Sequence, residues 1–285
     1  IVELLPWVEH AVVVDTVRWN RRQAVREWWQ AAVRLRRRSY DLVVDFQGLA
    51  RSSLWTMFCG APLRIGRGRW PWLHYRSSMY DRATVHAIEN TARCLAPLGT
   101  DPRAVLRPFL SDGAAQIVEP LIERGRQLRQ QLALPGPLWA WIPQSRWPAK
   151  TLSPQHLELA PEGASHVLLA DGSWQHGVPS TGRWVSLAGR VELVESVALA
   201  LVAERVIAVD TGPAQLAALL GARIDGCFAP TDPRRSGLRG PRARSYSGDC
   251  APCYRRRCRR SSQCLGQALA AALGEQSSCL LSSET

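Results

Sequence analysis

The sequence predicts an α/β protein built from two consecutive domains, each with a parallel β-sheet. Short apolar runs alternate with helical segments along most of the 285 residues. Strands that alternate with helices form parallel sheets through right-handed crossovers. The pattern restarts after the Pro-Gly-Pro segment at 135–137. We therefore expect an N-terminal domain over 1–134 and a C-terminal domain over 135–285.

The first domain shows a strand, a turn and a helix, followed by less regular elements. Its predicted elements are a strand at Leu42 to Val44, a turn at Gln47-Gly48, a helix that ends near Gly60, a strand in 63–69, a helix over 84–99 that Gly99 ends, a candidate strand at 104–110 and a long polar helix over 114–134. The opening stretch from Ile1 reads as the middle of a domain, so we expect this domain to be incomplete.

The second domain has a more regular pattern of strands and helices. Its predicted elements are a strand and loop over 138–145, a helix with Ser153 as N-cap, a strand from Ser165, an apolar helix over 191–204, a strand, turn and helix over 205–222, a strand and loop over 223–233, a Cys-rich segment and a C-terminal helix. Two such domains in series predict Rossmann-like folds that face a cleft.

The composition favours an anionic partner. The net charge is +12 and the isoelectric point is about 10.1, which suits nucleic acid, anionic lipid or phosphorylated sugars. An arginine-rich solvated surface explains the charge equally well. The basic clusters are scattered and show no RNA-binding signature. No run of about 18 apolar residues predicts a membrane span.

The segment VIAVDTGPAQLAALL predicts a phosphate-binding turn. An apolar strand delivers Asp210, Thr211 and Gly212 at its carboxyl end, and Pro213 follows where a helix begins. Ligands of open α/β sheets bind at these strand ends, and the free amides of a helix N-terminus suit a phosphate. The alternative is that Asp-Thr-Gly is only a capping turn.

The segment SRWPAK ends in Lys150, the only lysine among 36 basic residues. A compact ammonium with three donors has different chemistry from a planar guanidinium. Its place in a loop after a strand favours a chemical role for Lys150. A single lysine that escaped an arginine-rich codon bias is the other explanation.

Eight cysteines are present, and four lie close together. Cys250, Cys253, Cys258 and Cys264 have a spacing at which thiolates can converge on zinc or an iron–sulfur cluster. Reduced thiols or a disulfide pair are the alternatives, and the spacing is not a common zinc pattern. We expect Cys59, Cys94 and Cys227 to be small core residues.

Several segments together resemble one family. They are YDLVVDFQGLARSSL, APLRIG, SRWPAK, VIAVDTGPAQLAALLGA, FAPTDP and CAPCYRRRC. In this order and spacing they are similar to the ADP-heptose:lipopolysaccharide heptosyltransferases, inverting glycosyltransferases of family 9 with the GT-B fold. The resemblance covers nearly the whole chain.

The resemblance implies roles for particular residues. Ser145 and Lys150 match a loop that contacts the sugar-nucleotide diphosphate, and Lys150 would stabilise the leaving group. Asp210, Thr211 and Gly212 match the second diphosphate loop. The implied acceptor is an anionic lipid-linked oligosaccharide at the cytoplasmic face of the inner membrane, with Arg51, Arg64 and Arg67 as candidates for its phosphates or acidic sugars. The transfer would need no cofactor, and no nucleic acid is implied as a partner.

The chain departs from the family pattern at three places. Gln215 stands where members carry a histidine, and Gln175 where they carry a glutamate. The Gly-Asp turn that supplies the general base has no match, and Asp45 belongs to a later strand, where a turn role is expected. We expect this chain to bind ADP but to transfer sugar slowly or not at all. A catalytically degenerate nucleotide- or glycan-binding protein, and less so a nucleic-acid-binding module, are the alternative functions.

Overall fold

The computed structural model of the chain describes residues 8–12, 21–68, 70, 72–77, 86–101, 104, 115–180 and 182–281. The chain divides into two compact units, 1–107 and 108–285. In both units every described strand pairing is parallel. The prediction of an α/β protein with parallel sheets is therefore confirmed.

The first unit contains a three-stranded sheet in the order β1-β2-β3. Its elements are α1 (Arg21–Arg36), β1 (Leu42–Asp45), α2 (Ala50–Phe58), β2 (Leu63–Arg67), β3 (Tyr75–Ser77), α3 (Ala87–Ala92) and a 3-10 helix (Arg93–Leu98). The sequence pattern missed α1 and β3. The candidate strand at 104–110 lies outside the described residues, apart from Ala104.

The helix predicted over 84–99 is α3 followed by the 3-10 helix. Pro97 lies inside the 3-10 segment, and its missing N–H and fixed ring disfavour a continuous α-helix. Gly99 ends the segment with a φ of 75°, a left-handed conformation that costs glycine little. The predicted stop at Gly99 is therefore confirmed.

The second unit contains a six-stranded sheet in the order β6-β5-β4-β7-β8-β9. Its strands are β4 (Leu138–Ile142), β5 (Ser165–Leu168), β6 (Arg183–Ser186), β7 (Arg205–Val209), β8 (Ile224–Phe228) and β9 (Ala243–Ser247). The pattern missed β6 and β9. All residues of β4, β5, β7 and β8 are buried, whereas the missed strands at the two edges are partly exposed.

Helices connect these strands and cover the sheet. They are α4 (Ala115–Gln131), a 3-10 turn (Pro148–Lys150), α5 (Pro154–Leu157), α6 (Leu193–Val202), α7 (Gly212–Leu219), α8 (Pro233–Ser236) and α9 (Ser261–Leu281). On α9, Leu265, Ala268, Leu269 and Ala272 have helical spacing and are buried in the same core cluster as Ile207 and Val209.

The boundary between the two units falls before α4 in the structure, whereas the sequence predicts it after α4, at residue 135. The difference arises because α4 packs closely on α6. Gly125 makes this approach feasible, since a Cβ at that position would overlap the backbone carbonyl of Ala198. The helix α4, which the sequence shows as largely polar, therefore packs with the second unit.

The strand order creates a topological switch point between β4 and β7. The chain moves outward from β4 through β5 to β6, and then returns to the other side of β4 to form β7, β8 and β9. Loops that leave the carboxyl ends of β4 and β7 run in opposite directions and leave a crevice between them, where ligands of such sheets bind.

Candidate functional site

Two loops meet at the switch point of the second unit through an ion pair. The ammonium Nζ of Lys150, from the loop after β4, lies 2.6 Å from the carboxylate Oδ2 of Asp210, directly after β7. The two side chains are only 13% and 12% exposed. A cation that is shielded from water in this way interacts more strongly with a bound anion than a surface lysine does.

A third loop also contacts the carboxylate of Asp210. The hydroxyl of Thr231, in the Pro-Thr-Asp-Pro segment after β8, donates to Asp210 Oδ2 at 2.8 Å. Thr231 is buried, so this hydroxyl is held in place. The sequence pattern gave no role to Thr231, although its segment is part of the family resemblance. The available signal was a Thr-Asp pair directly after an apolar strand, where polar side chains often reach a ligand site.

The turn after β7 opens a helix toward the same place. Thr211 is the N-cap of α7 in extended conformation, and Gly212 and Pro213 begin the helix. No atom would contact a Cβ at Gly212, so the space in front of this backbone is open. The N-terminal amides of α7 are therefore accessible to an anion.

A cavity of about 350 Å³ lies beside these loops. Its lining comes from the carboxyl ends of β4, β5 and β7 and from the start of α6, and includes Ile142, Ser145, Arg146, Leu169, Leu193 and Thr211. The volume lies in the range typical of small-molecule sites. Apolar side chains with a few polar groups suit a nucleoside.

Asp171 is the carboxylate of this cavity, and a polar cluster holds it. The hydroxyl and backbone N–H of Ser173 donate to its Oδ1 at 2.5 and 2.7 Å, and these bonds lower the pKa of Asp171. The Gln144 side chain bridges the cluster, because it donates to the Ser173 hydroxyl and accepts from the Asp171 N–H. An ionised, preoriented carboxylate can accept from sugar hydroxyls.

The structure distributes the predicted nucleotide-binding residues unevenly. Ser145 and Thr211 line the cavity, while Lys150, Asp210 and Gly212 lie beside it. Gln175 is exposed and is not part of the lining. Asp171 lines the cavity where Gln175 was expected, because the chain turns at Asp171 to Ser173 before it reaches Gln175.

The Gln215 side chain is engaged within the protein. Its Nε2 donates to the backbone carbonyl of Ser236 at 2.7 Å, and its Oε1 is buried without a partner. The side chain thus ties α7 to α8. A direct contact between Gln215 and substrate stays a prediction.

In the first unit, Asp45 has a structural role, as the sequence predicts. Its Oδ1 accepts from the backbone N–H groups of Gln47 and Gly48, each at 2.9 Å. Its Oδ2 accepts from the hydroxyls of Ser52 and Ser53 at 3.0 and 2.9 Å. The carboxylate is buried and holds the turn between β1 and α2.

The three candidate arginines of this unit differ in their availability. Arg51 is exposed at the start of α2. The guanidinium of Arg64 donates to the backbone carbonyls of Trp72 and Ala61. That of Arg67 donates to the carbonyl of Phe46 and the hydroxyl of Thr91. Arg64 and Arg67 therefore also hold local structure.

Two of the four clustered cysteines pair with each other, which is one of the alternatives that the sequence left open. Cys250 and Cys264 form a disulfide, and Cys253 and Cys258 are free thiols. Among the described residues, no group of three or more His, Cys, Asp or Glu side chains is arranged to hold a metal ion. Cys264 lies on α9 and is buried in the core, so the disulfide ties the Cys-rich segment to that helix.

Three further cysteines follow their predicted role as core residues. Cys59, Cys94 and Cys227 are buried. Burial raises the pKa of Cys227 to about 12, and it also raises the pKa of Cys94. These thiols are therefore inert small hydrophobes.

Over the described part of the chain, every helix is too short or too polar to cross a bilayer. The architecture and the site together define an α/β protein with a candidate ligand site at the switch point of its larger sheet. A lysine, a helix N-terminus and a nucleoside-sized cavity meet there, which is the arrangement expected for a nucleoside diphosphate ligand.

Comparisons with known proteins agree with this class. Residues 174–263 match the model of glycosyltransferase family 9 (heptosyltransferase). The chain is 28% identical over 279 residues to lipopolysaccharide heptosyltransferase 1 of Pseudomonas aeruginosa, covering 89% of this chain and 74% of that protein.

Solved structures share the fold. E. coli ADP-heptose lps heptosyltransferase II has a TM-score of 0.64 at 18% identity, covering 89% of this chain and 82% of that one. E. coli heptosyltransferase WaaC with ADP has a TM-score of 0.59 at 20% identity, covering 90% and 78%. The match to the glycosyltransferase family 9 model covers the C-terminal part of the chain, and the chain shares the α/β fold of these heptosyltransferase structures.

Proposed function

We propose that this chain transfers a heptose from ADP-heptose to the inner core of lipopolysaccharide, with inversion at the anomeric carbon. The observation that carries the proposal is the Lys150–Asp210 pair, which lies beside the α7 N-terminus and the cavity at the switch point. The Pseudomonas relative is named as a lipopolysaccharide heptosyltransferase, and WaaC was solved with ADP and with ADP-2-deoxy-2-fluoro heptose.

In this assignment the cavity takes the nucleoside of the donor. Its apolar part, which includes Ile142 and Leu193, faces the base, and the carboxylate of Asp171 accepts from a ribose hydroxyl. The diphosphate then lies over the amide of Gly212, next to Thr211 and Lys150. A backbone that is open at Gly212 allows a phosphate to approach closely.

Lys150 stabilises the leaving group in this reaction. The acceptor oxygen attacks the anomeric carbon, the bond from that carbon to the diphosphate oxygen breaks, and ADP departs with the bonding electrons. The acceptor proton passes to a base. Negative charge therefore grows on the diphosphate, and a preoriented ammonium lowers the energy of that transition state. Asp210 and Thr231 hold the ammonium in place before the donor arrives.

The acceptor is proposed to be an anionic lipid-linked oligosaccharide. Arg51 is the exposed cation of the three candidates in the first unit. We also propose that the protein associates peripherally with the cytoplasmic face of the inner membrane. The net charge of +12 supports this, because anionic lipid attracts basic proteins.

One alternative is favoured by a specific observation. Both carboxylate oxygens of Asp45 are occupied by turn contacts, so Asp45 is not a free general base. A chain without a base would be a nucleotide- or glycan-binding protein of the same fold, as Gln215, engaged with Ser236, also suggests.

The test is an ADP-release assay with ADP-heptose, with and without a lipid A–inner-core acceptor. We expect acceptor-dependent ADP release to be slow, because Asp45 is not a free general base. The product should be heptosylated by mass spectrometry and inverted at the anomeric carbon by NMR. ADP binding without transfer to any acceptor would favour the binding-protein alternative. A chain that binds neither ADP nor ADP-heptose would contradict both the transfer reaction and nucleotide binding.

A further inference from the structure

A basic segment lies next to the switch-point site. Its five arginines are all exposed: Arg255, Arg256, Arg257, Arg259 and Arg260. Within the described residues, none of them forms an ion pair with a carboxylate. Their charge is therefore available for an external anion.

Arg256 differs from the other four because it touches the lysine loop. Its guanidinium carbon lies 5.4 Å from the ring centroid of Trp147, and Lys150 Nζ lies 4.6 Å from the same centroid. The two cations are thus at most about 10 Å apart, the sum of these two distances. In addition, the N–H of Ala149 donates to the backbone carbonyl of Arg256 at 3.2 Å.

The backbone before Arg256 is anchored to the loop after β8 and to α9. The N–H groups of Cys253 and Tyr254 donate to the carbonyl of Pro230, at 3.1 and 2.7 Å. Pro230 precedes Thr231, which supports Asp210. The Cys250–Cys264 disulfide fastens the start of the segment to α9. Arg256 is therefore held by the elements that build the site.

The charge balance at the site calls for a further cation. The charge of Lys150 is balanced by Asp210, while a nucleoside diphosphate brings at least two negative charges. The α7 amides supply only about half a charge. A guanidinium that stacks on an indole keeps its edge N–H donors free for phosphate oxygens.

We propose that Arg256 is a second cation for the donor diphosphate and contacts its sugar-side phosphate, with Trp147 as the platform that orients it. The inference rests on the proposed function, because it assumes a nucleoside diphosphate donor. With the nucleoside in the cavity and the first phosphate at Thr211, the second phosphate faces Lys150 and the Trp147 ring. Arg256 thereby adds to the stabilisation of the leaving group.

The test compares the affinities of AMP and ADP in Arg256→Ala and in the matched variant Arg259→Ala. Both remove one exposed arginine from the same segment, but only Arg256 contacts Trp147. A lost charge-assisted bond predicts a fall of about 10- to 100-fold in ADP affinity for Arg256→Ala, with AMP affinity unchanged. Arg259→Ala should change neither affinity by more than a few-fold.

Calorimetric titration of the intact chain separates the outcomes. Equal losses of ADP affinity in the two variants would mean a general electrostatic field and would overturn the proposal. So would an Arg256→Ala variant that keeps its ADP affinity or loses AMP affinity in the same proportion. If the unmodified chain fails to bind ADP, the proposed function itself fails, and that result is distinct from a failure of Arg256 alone.

Discussion

Lys150 shows how one residue can be both structural and chemical. Its ammonium closes the switch point by pairing with Asp210, which lies 60 positions later in the chain. The same ammonium lies over the Trp147 ring. An arginine would need a planar, two-donor partner geometry, whereas the ammonium can turn between Asp210 and a phosphate without rebuilding the loop.

We expect Lys150→Ala to lower ADP affinity by about 10- to 100-fold, because a charge-assisted contact to phosphate is lost. The matched control is Arg223→Ala. Arg223 is an exposed cation directly before β8. It therefore lies at the amino-terminal ends of the strands, whereas the site lies at their carboxyl ends. Calorimetric titration with ADP measures the ADP affinity of each variant. Similar affinities in the two variants would contradict a specific role for Lys150.

At the scale of elements, the contact between α4 and α6 shows that helix packing depends on a single glycine. Gly125 is buried in α4, and a Cβ there would meet the carbonyl of Ala198 and the side chain of Val202 on α6. By contrast, Gly274 on α9 is exposed, with no atom near the position of a Cβ. The same substitution should therefore act in opposite directions at the two sites.

Gly125→Ala should lower the free energy of unfolding by about 1–3 kcal/mol, since the helices must move apart. Gly274→Ala should raise it by about 0.5–1 kcal/mol, because alanine loses less entropy in a helix. Chemical denaturation of both variants gives the two values. A stabilising Gly125→Ala would show that α4 is not packed as described.

Another element-scale feature is the histidine layer between β4, β5 and β6. His166 Nδ1 accepts from the indole N–H of Trp141 at 3.2 Å, and its ring stacks on Trp184 at 4.7 Å between centroids. Its other nitrogen lies 3.1 Å from the carbonyl of Pro161, to which it donates. Burial lowers the pKa of His166, so the neutral ring is the folded form.

This lowered pKa predicts a loss of stability in acid. The unfolded histidine takes up its proton near pH 6.5, whereas the folded one does so only at lower pH, so the unfolded state binds more protons in between. Stability should therefore fall as the pH drops below about 6.5.

The melting temperature at pH 7.5 and pH 5.5 measures this effect. His166→Phe keeps an aromatic ring and cannot be protonated, so the difference between the two pH values should shrink. His176→Gln changes an exposed histidine and should leave the difference as it is. An unchanged difference in His166→Phe would show that another group controls the acid response.

At the scale of the whole molecule, the charge is the dominant property. The net charge of +12 is spread over many arginines, and within the described residues few of these form ion pairs with carboxylates. A protein of this charge is attracted to any anionic surface. The attraction weakens within a Debye length, so it depends strongly on salt.

We expect the chain to sediment with vesicles that contain anionic phospholipid at low salt. Each basic residue near such a surface contributes about 1 kcal/mol. Binding should be lost at about 1 M salt, where the Debye length is about 3 Å. Neutral phosphatidylcholine vesicles are the control. Equal binding to neutral and anionic vesicles, or binding that resists salt, would contradict peripheral electrostatic association.

Much of the architecture was predictable from local sequence. The apolar run before Asp210 and the restart at Leu138 predict buried parallel strands, and both segments are the central strands of the larger sheet. The short edge strands β3, β6 and β9 were missed because their side chains are partly exposed or polar and lack an apolar run. The helix α1 was missed because its arginines dominate the pattern.

The sequence alone determined the fold class, the family resemblance and the two loops that carry Lys150 and Thr211, since strand ends and turns depend on neighbouring residues. The tertiary structure decided which distant groups meet. It paired Lys150 with Asp210, brought the hydroxyl of Thr231 to the same carboxylate, and placed Asp171 in the cavity instead of Gln175. It also joined Cys250 to Cys264 in a disulfide, one of the three arrangements that the sequence left open. These outcomes depend on strand order and crossovers, which bring together residues tens of positions apart and leave no trace in local spacing.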